Sequence, residues 1–150
     1  MATRNLMKIK VALLFGGKSA EHDISVISAL QAYRHLNRDK YDVYPIYITK
    51  DGEMYYGEET GKIEAYADVD YLLSRSARVS LLRANGRVIL SYDKKLFGNR
   101  KIADIDVALP VVHGTNVEDG TIQGYLQLLG RPYCGCDILS SAVGMEKYVT

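Results

Sequence analysis

The sequence predicts an α/β fold: a doubly wound, mostly parallel sheet with an inserted hairpin region. Three observations carry this. Two runs, KIKVALLF (8–15) and IDVALPVV (105–112), are apolar on both alternating faces, which is how strands covered by helices on both sides read. Each run leads into a glycine-containing loop and then a segment with apolar residues at helical spacing. The resulting order of strand, helix, strand, insertion, strand, helix, strand, helix is that of a parallel sheet with right-handed crossovers.

Each element has its own justification. KIKVALLF is β-rich and is stopped by Gly16-Gly17. In the following KSAEHDISVISALQAYRHLNRDK, the residues Ile24, Ile27, Leu30, Tyr33 and Leu36 predict the buried face of a helix. YDVYPIYIT reads as a second strand, with Pro45 placing it near an edge or a bulge. Between Asp51 and Asn99, EMYYGEE reads as a short strand and YADVDYLLSRS as a weak helix. RVSLLRANGRVILSY reads as a hairpin about Ala84-Asn85-Gly86. This region is expected to decorate the sheet rather than form a second domain. GTIQGYLQLLGRPY places Ile122, Tyr125, Leu126 and Leu129 on one helical face, with Gly130 and Pro132 as the stop. PYCGCD predicts a fourth short strand and turn, and SSAVGMEKYVT a last helix capped by Ser140 or Ser141. That helix has no terminator, so the chain reads as the front part of something longer.

Bulk properties weigh against several function classes. A chain of 150 residues buries about 68–70% of its unfolded surface, so a real core is available. Nineteen basic against 18 acidic residues, without a long block of one sign, give no footprint for nucleic acid or an anionic membrane. The apolar part of the N-terminus, VALLF, is too short for a signal h-region or a membrane span, and the reading is a cytoplasmic protein. Cys134 and Cys136, one residue apart in YCGCD, can neither complete a four-ligand zinc site nor match Cys-x-x-Cys spacing, so small buried thiols are expected.

Two loops at strand carboxyl ends are richer in functional groups than turning the chain requires, and in an open parallel sheet ligands bind at such ends. In GGKSAEHDIS, Gly17-Lys18-Ser19 imitates a phosphate-binding loop, but that pattern needs a glycine where Ala12 stands inside the strand. What remains is Gly16-Gly17, which lets backbone approach a ligand, Ser19 as a candidate cap, and Glu21, His22 and Asp23 at a helix start. Glu21 can be read as a partner of the helix dipole, at about 0.3–1 kcal/mol, or as a ligand-binding carboxylate. HGTNVEDGTIQG holds His113, Glu118 and Asp119 with the same ambiguity. Its Gly124 lies inside a predicted helix, at a cost of about 0.8–1.0 kcal/mol against alanine, so close packing or a ligand is expected to need the missing side chain. Together the loops offer an anion for an ammonium group and an imidazole for developing negative charge.

GGKSAEHDIS followed by HGTNVEDGTIQGYLQLLGRPYCGCDILSSAVGMEKYVT resembles the N-terminal domain of the D-alanine–D-alanine ligase family, including the vancomycin-resistance ligases that make D-alanyl-D-lactate or D-alanyl-D-serine. The resemblance implies a Rossmann-like (pre-ATP-grasp) domain over residues 1–143, with 144–150 beginning the connection to a central ATP-grasp domain. It implies a ligase that uses ATP and Mg2+ to convert one D-alanine to an acyl phosphate, which a second D-alanine or analogue attacks, the product entering peptidoglycan synthesis. By the same resemblance Glu21 binds the ammonium of the first D-alanine, and His113 lies beside the reacting carboxylate. Gly16, Gly17 and Ser19 line the pocket, Glu118 supports its loop, and Lys147 reaches the ATP phosphates. A homodimer is implied, and no metal ligand falls in this stretch.

Two departures stand out. Val117 occupies a position where the family usually has glycine, and a β-branched residue resists positive φ, so a different loop path is expected. The nucleotide-holding parts of an ATP-grasp enzyme are also absent, so the 150 residues alone are expected to show no ligase activity and to bind neither ATP nor Mg2+. A stand-alone small-amino-acid-binding or dimerisation module is the alternative. The second substrate, D-alanine, D-lactate or D-serine, is not legible here.

Overall fold

The computed structural model describes residues 7–96, 99–114 and 119–145. Its seven strands are β1 (Ile9–Gly16), β2 (Tyr41–Ile48), β3 (Met54–Tyr56), β4 (Ala77–Ala84), β5 (Arg87–Leu96), β6 (Asn99–Ile105) and β7 (Val107–Val111). Four α-helices accompany them: α1 (His22–His35), α2 (Val69–Ser74), α3 (Thr121–Leu129) and α4 (Ile138–Met145). The sheet order is β6-β5-β4-β3-β2-β1-β7. β1 pairs in parallel with β2 (Val11↔Val43) and with β7 (Val11↔Val107), and this trio is the doubly wound frame the apolar runs predict.

The alternation of β1 shows why its run is apolar throughout. Ala12 and Leu14 pack with Ile122 and Leu126 of α3 on one face. Leu13 and Phe15 pack with Val26, Ala29 and Leu30 of α1 and Leu72 of α2 on the other. A strand with helices on both sides has no wet face to make polar.

α1 corrects the expected face. Ile24 and Ile27 are 53% and 50% exposed, whereas His22, Ser25, Val26, Ala29 and Leu30 are buried. Successive steps of three residues each fall about 60° short of a full turn. The set Ile24, Ile27, Leu30, Tyr33, Leu36 therefore winds around the helix, while the observed seam alternates steps of three and four.

The insertion does more than decorate. Its β3, β4 and β5 extend the sheet in antiparallel fashion together with β6, so the whole is a mixed sheet with the parallel trio at one side. Val79, Leu81, Val88 and Leu90 join the α3-side core. Asn85 (φ 51°) and Gly86 (φ 75°) form the two-residue turn, a type I′ geometry that asparagine-glycine favours. Asp68 caps α2 by accepting the Tyr71 N–H at 3.0 Å.

Pro45 lies in an interior strand, yet β2 pairs with β3 only at Tyr47 and Ile48, so its flank is locally an edge. There the Thr60 hydroxyl donates to the Pro45 carbonyl at 2.8 Å. IDVALPVV is also divided: Ile105 ends β6 and Val107 begins β7, so the two edges of the sheet are joined through Asp106 alone. Asp106 locks to β1, its N–H donating to the Lys10 carbonyl and its carboxylate accepting the Lys10 N–H, both at 2.9 Å.

α3 ends as expected, with Gly130 at φ 71°. PYCGCD contributes one parallel bridge, Tyr133 to Ala108, and then leaves the sheet. Cys134 and Cys136 are consequently exposed, contrary to the expected burial. The cap of α4 is Asp137, which accepts the Ser140 N–H at 2.7 Å, not Ser140 or Ser141. This bond, then the Ser140 hydroxyl and the Leu139 amide, hold the Asp137 carboxyl below the usual carboxylate range. None of the described helices is long and apolar enough to cross a membrane.

Candidate functional site

β1 and β7 are neighbouring parallel strands, so their carboxyl ends open at the same rim. From that rim the chain leaves toward α1 on one face and toward α3 on the other, which is where α/β sheets form ligand crevices.

Backbone conformation fixes the first loop. Gly16 and Gly17 have φ of 92° and 89°. A side chain at Gly16 would collide with the Ile48 carbonyl and meet the His22 and Tyr47 rings at 3.1 Å. Gly17 donates its N–H to the Ile48 carbonyl at 2.8 Å. Its own carbonyl lies 2.7 Å from His22 Nδ1, and since a carbonyl only accepts, that nitrogen carries a proton. In the neutral ring Nε2 then accepts the Tyr47 hydroxyl at 2.9 Å. Burial, and then the charge of Asp23, pushes the Tyr47 phenol above its ordinary value, keeping it a donor.

Ser25 joins the two strand ends. Fully buried, it accepts the Gly16 N–H at 2.8 Å and donates to the Val111 carbonyl at 2.6 Å. Ser19 organises the turn: its Oγ accepts the Glu21 N–H at 3.0 Å, and its carbonyl accepts the His22 N–H at 3.3 Å. Glu21 is the N-cap residue of α1, but its side chain makes no capping bond and is exposed. The dipole reading would leave it free in this way, and so would a binding role.

The second loop approaches the first directly. Gly114, at φ 84°, packs on Ser19 so closely that a Cβ there would overlap Ser19 Oγ, and the same Cβ would lie 3.8 Å from Glu21 Cβ. Half-buried His113 places Nε2 3.3 Å from the Ser28 hydroxyl on α1. The structure thus brings Gly16, Gly17, Ser19, Glu21 and the His113-Gly114 step to one rim. Glu118, Val117 and Lys147 lie outside the described residues. Asp119 holds the start of α3, accepting the Thr121 N–H at 3.2 Å.

Two cavities flank the glycine loop. One, about 630 Å³, is floored by His22, Val26, Tyr47 and Tyr66. The other, about 590 Å³, lies between Gly17-Lys18, the turn after β2 and the Thr121 end of α3. Neither is lined by Glu21 or His113. Ser25 and Tyr47 carry no site role in the sequence reading, and His22 appears there only among the polar residues at a helix start. Their signal was present as polar residues at 22 and 25, in step with Val26 and Ala29, on the seam α1 buries.

Fold and loops together define a Rossmann-like α/β domain with two functional loops meeting at the carboxyl ends of adjacent parallel strands. Comparison with known proteins is more specific. The chain belongs to the D-ala D-ala ligase N-terminus family, whose model matches residues 10–136, which bears out the resemblance carried by its motifs. It is 44% identical over 143 residues to a D-alanine–D-alanine ligase of Caldicellulosiruptor bescii, covering 95% of this chain and 37% of that one. The VanG D-Ala:D-Ser ligase of Enterococcus faecalis superposes with a TM-score of 0.76 at 33% identity, over 95% of this chain and 40% of that structure. A Bacillus anthracis D-alanine–D-alanine ligase complexed with ATP superposes with a TM-score of 0.52 at 26% identity, over 94% and 33%. The chain spans 37–39% of the length of the curated relatives it matches.

Proposed function

We propose that this chain is the first-D-alanine-binding part of an ATP-dependent D-alanine–D-alanine, or D-alanine–D-X, ligase serving peptidoglycan synthesis in the cytoplasm. The observation that supports it most is the packing of Gly114 on Ser19 and Glu21, which makes the two motif loops one wall. On this reading Glu21, exposed at that wall, accepts hydrogen bonds from the substrate ammonium. His113, oriented by Ser28, stands beside the reacting carboxylate and stabilises charge that develops there. Gly16, Gly17 and Ser19 shape the pocket. Glu118 supports the second loop, and Lys147 reaches toward the nucleotide from the segment 144–150, where the 1–143 domain gives way to the next.

Two features of the described residues support placing ATP and Mg2+ elsewhere in the parent enzyme. No three His, Cys, Asp or Glu side chains among them are placed to share an ion. The amides of Gly16, Gly17, Ser19, Glu21 and His22 all donate within the protein. ATP and Mg2+ are therefore assigned to the rest of the parent enzyme, and the 150 residues alone to an inactive half-site. No turnover is expected in a phosphate-release assay with ATP, magnesium and D-alanine, and turnover by the purified chain would refute this assignment.

Glu21→Gln in the full-length enzyme tests the role of the carboxylate. Loss of a charge-assisted bond worth about 1.5–3 kcal/mol should raise KM for the first D-alanine about tenfold to a hundredfold, with KM for ATP unchanged. Equal damage to both constants would make Glu21 structural. Half-exposed Ile24 and Ile27 also favour packing against a second protein surface, so the parent is assigned as a homodimer. Light scattering at several concentrations checks this, and a monomer throughout removes it.

A further inference from the structure

Cys134 and Cys136 are the functional groups that the ligase reading leaves unused. Both are exposed, on the connection between the Tyr133 bridge and α4. Cys134 is anchored, its N–H donating to the Ala108 carbonyl of β7 at 3.0 Å. Cys136 adjoins Asp137, the cap of α4. Between them Gly135 takes φ 134°, a conformation side chains resist, with no described atom within 4 Å of where a Cβ would be.

From this geometry we propose that Cys134 and Cys136 form a dithiol modification site that exchanges with low-molecular-weight disulfides and closes into an intramolecular disulfide. Reach permits it. Two residues of chain separate Cα atoms by no more than about 7 Å. The roughly 4.4–6.8 Å that a disulfide spans lies within that reach, and the backbone bends at Cys134 and Gly135. Metal binding fits less well, because no third His, Cys, Asp or Glu among the described residues completes a cluster.

The exchange balances. One thiolate attacks a sulfur of the disulfide RSSR, forming a mixed disulfide and releasing RS⁻. The second thiolate attacks the protein sulfur of that mixed disulfide, forming the Cys134–Cys136 bond and releasing a second RS⁻. The two thiol protons pass to solvent and on to the departing thiolates, so the dithiol is oxidised as RSSR is reduced to two RSH. A small exposed ring of this kind belongs to the labile class of disulfides, which reduced thiols reopen. Closure ties the sheet-anchored residue to the one before the α4 cap, so it should stiffen the start of that helix.

The test uses the reduced chain with oxidised glutathione as probe, followed by intact-mass spectrometry. The product should be two hydrogen masses lighter and exceed the doubly glutathionylated form at least about tenfold, because the second thiol competes at an effective concentration in the millimolar range or above. Cys136→Ser and Cys134→Ser should each stop at one glutathione adduct. Reduced glutathione should reopen the ring, and amide exchange at Ser140 and Ser141 should be slower in the closed form. Two persistent adducts on the wild-type chain, disulfide-linked dimers as the main product, or no reaction would each overturn the proposal.

Discussion

Gly114→Ala probes the contact on which the site depends. Alanine at φ 84° costs about 1–2 kcal/mol for left-handed backbone alone. Its Cβ must also displace Ser19 Oγ, which breaks the 3.0 Å bond from the Glu21 N–H, worth about 0.5–1.5 kcal/mol more. The single variant should therefore lose about 1.5–3.5 kcal/mol in urea unfolding at unchanged m-value. Ser19→Ala removes the obstructing oxygen in advance and leaves Ser19 Cβ at 3.4 Å and Glu21 Cβ at 3.8 Å, both ordinary contacts. In that background Gly114→Ala should cost only the backbone part, giving a coupling of about 0.5–1.5 kcal/mol in the double-mutant cycle. Additivity within about 0.3 kcal/mol would show that the loops do not touch, and the common wall would fall with that result.

Three further outcomes are expected. Ser25→Ala strands the buried Gly16 N–H and should destabilise the chain by about 1–3 kcal/mol in urea unfolding; a change under about 0.5 kcal/mol would mean that Ser25 is no tie between β1 and β7. Gly124→Ala should stabilise by about 0.5–1 kcal/mol, because the new Cβ meets Ile138 Cδ1 at an ordinary 3.9 Å; net destabilisation in the same assay would reveal a hidden packing demand. Burial raises the phenols of Tyr47, Tyr56, Tyr66 and Tyr125, so above about pH 10 the unfolded chain gives up protons that the folded one keeps, and stability present below that pH is lost as pH rises. Phenolate absorbance should then rise together with loss of far-UV circular dichroism, and full ionisation with the dichroism intact would contradict the burial.

What the sequence disclosed followed from how local each cause was. Asn85-Gly86 specified its turn because positive φ is a property of those two residues. Gly130 ended α3 for the same reason. The face of α1 depends instead on which strand lies beneath it, and Ile24 and Ile27 are apolar without being covered. The role of 51–99 was hidden because antiparallel extension of a sheet requires knowing which edge is open. Asp106 escaped notice because one polar residue inside IDVALPVV reads as noise until its bonds to Lys10 show a strand changing partners. The cysteines misled because burial habits are averages, whereas past the Tyr133 bridge the Cys134 N–H holds to β7 while both thiols lie exposed. At the site, Glu21 and His113 were legible as chemical groups at strand ends. Ser25 was not, and His22 read only as a polar residue at a helix start, because their work is to hold backbone.

That backbone work bears on what the first loop can bind. A loop meant for phosphate would keep its amides pointing at the ligand. Here the Gly16 amide goes to Ser25, the Gly17 amide to Ile48, and those of Glu21 and His22 to Ser19. The Gly17 carbonyl is taken by His22. With these amides committed to the protein, the loop has fewer donors left for an anion, and Glu21 is an exposed carboxylate beside them. A negative group on a rim fixed by buried serine and histidine can hold a cation without reorganising. On the proposed function, that cation is the ammonium of the substrate. The likeness of Gly17-Lys18-Ser19 to a phosphate loop stops at the letters: the Gly17 and Ser19 amides both donate within the protein.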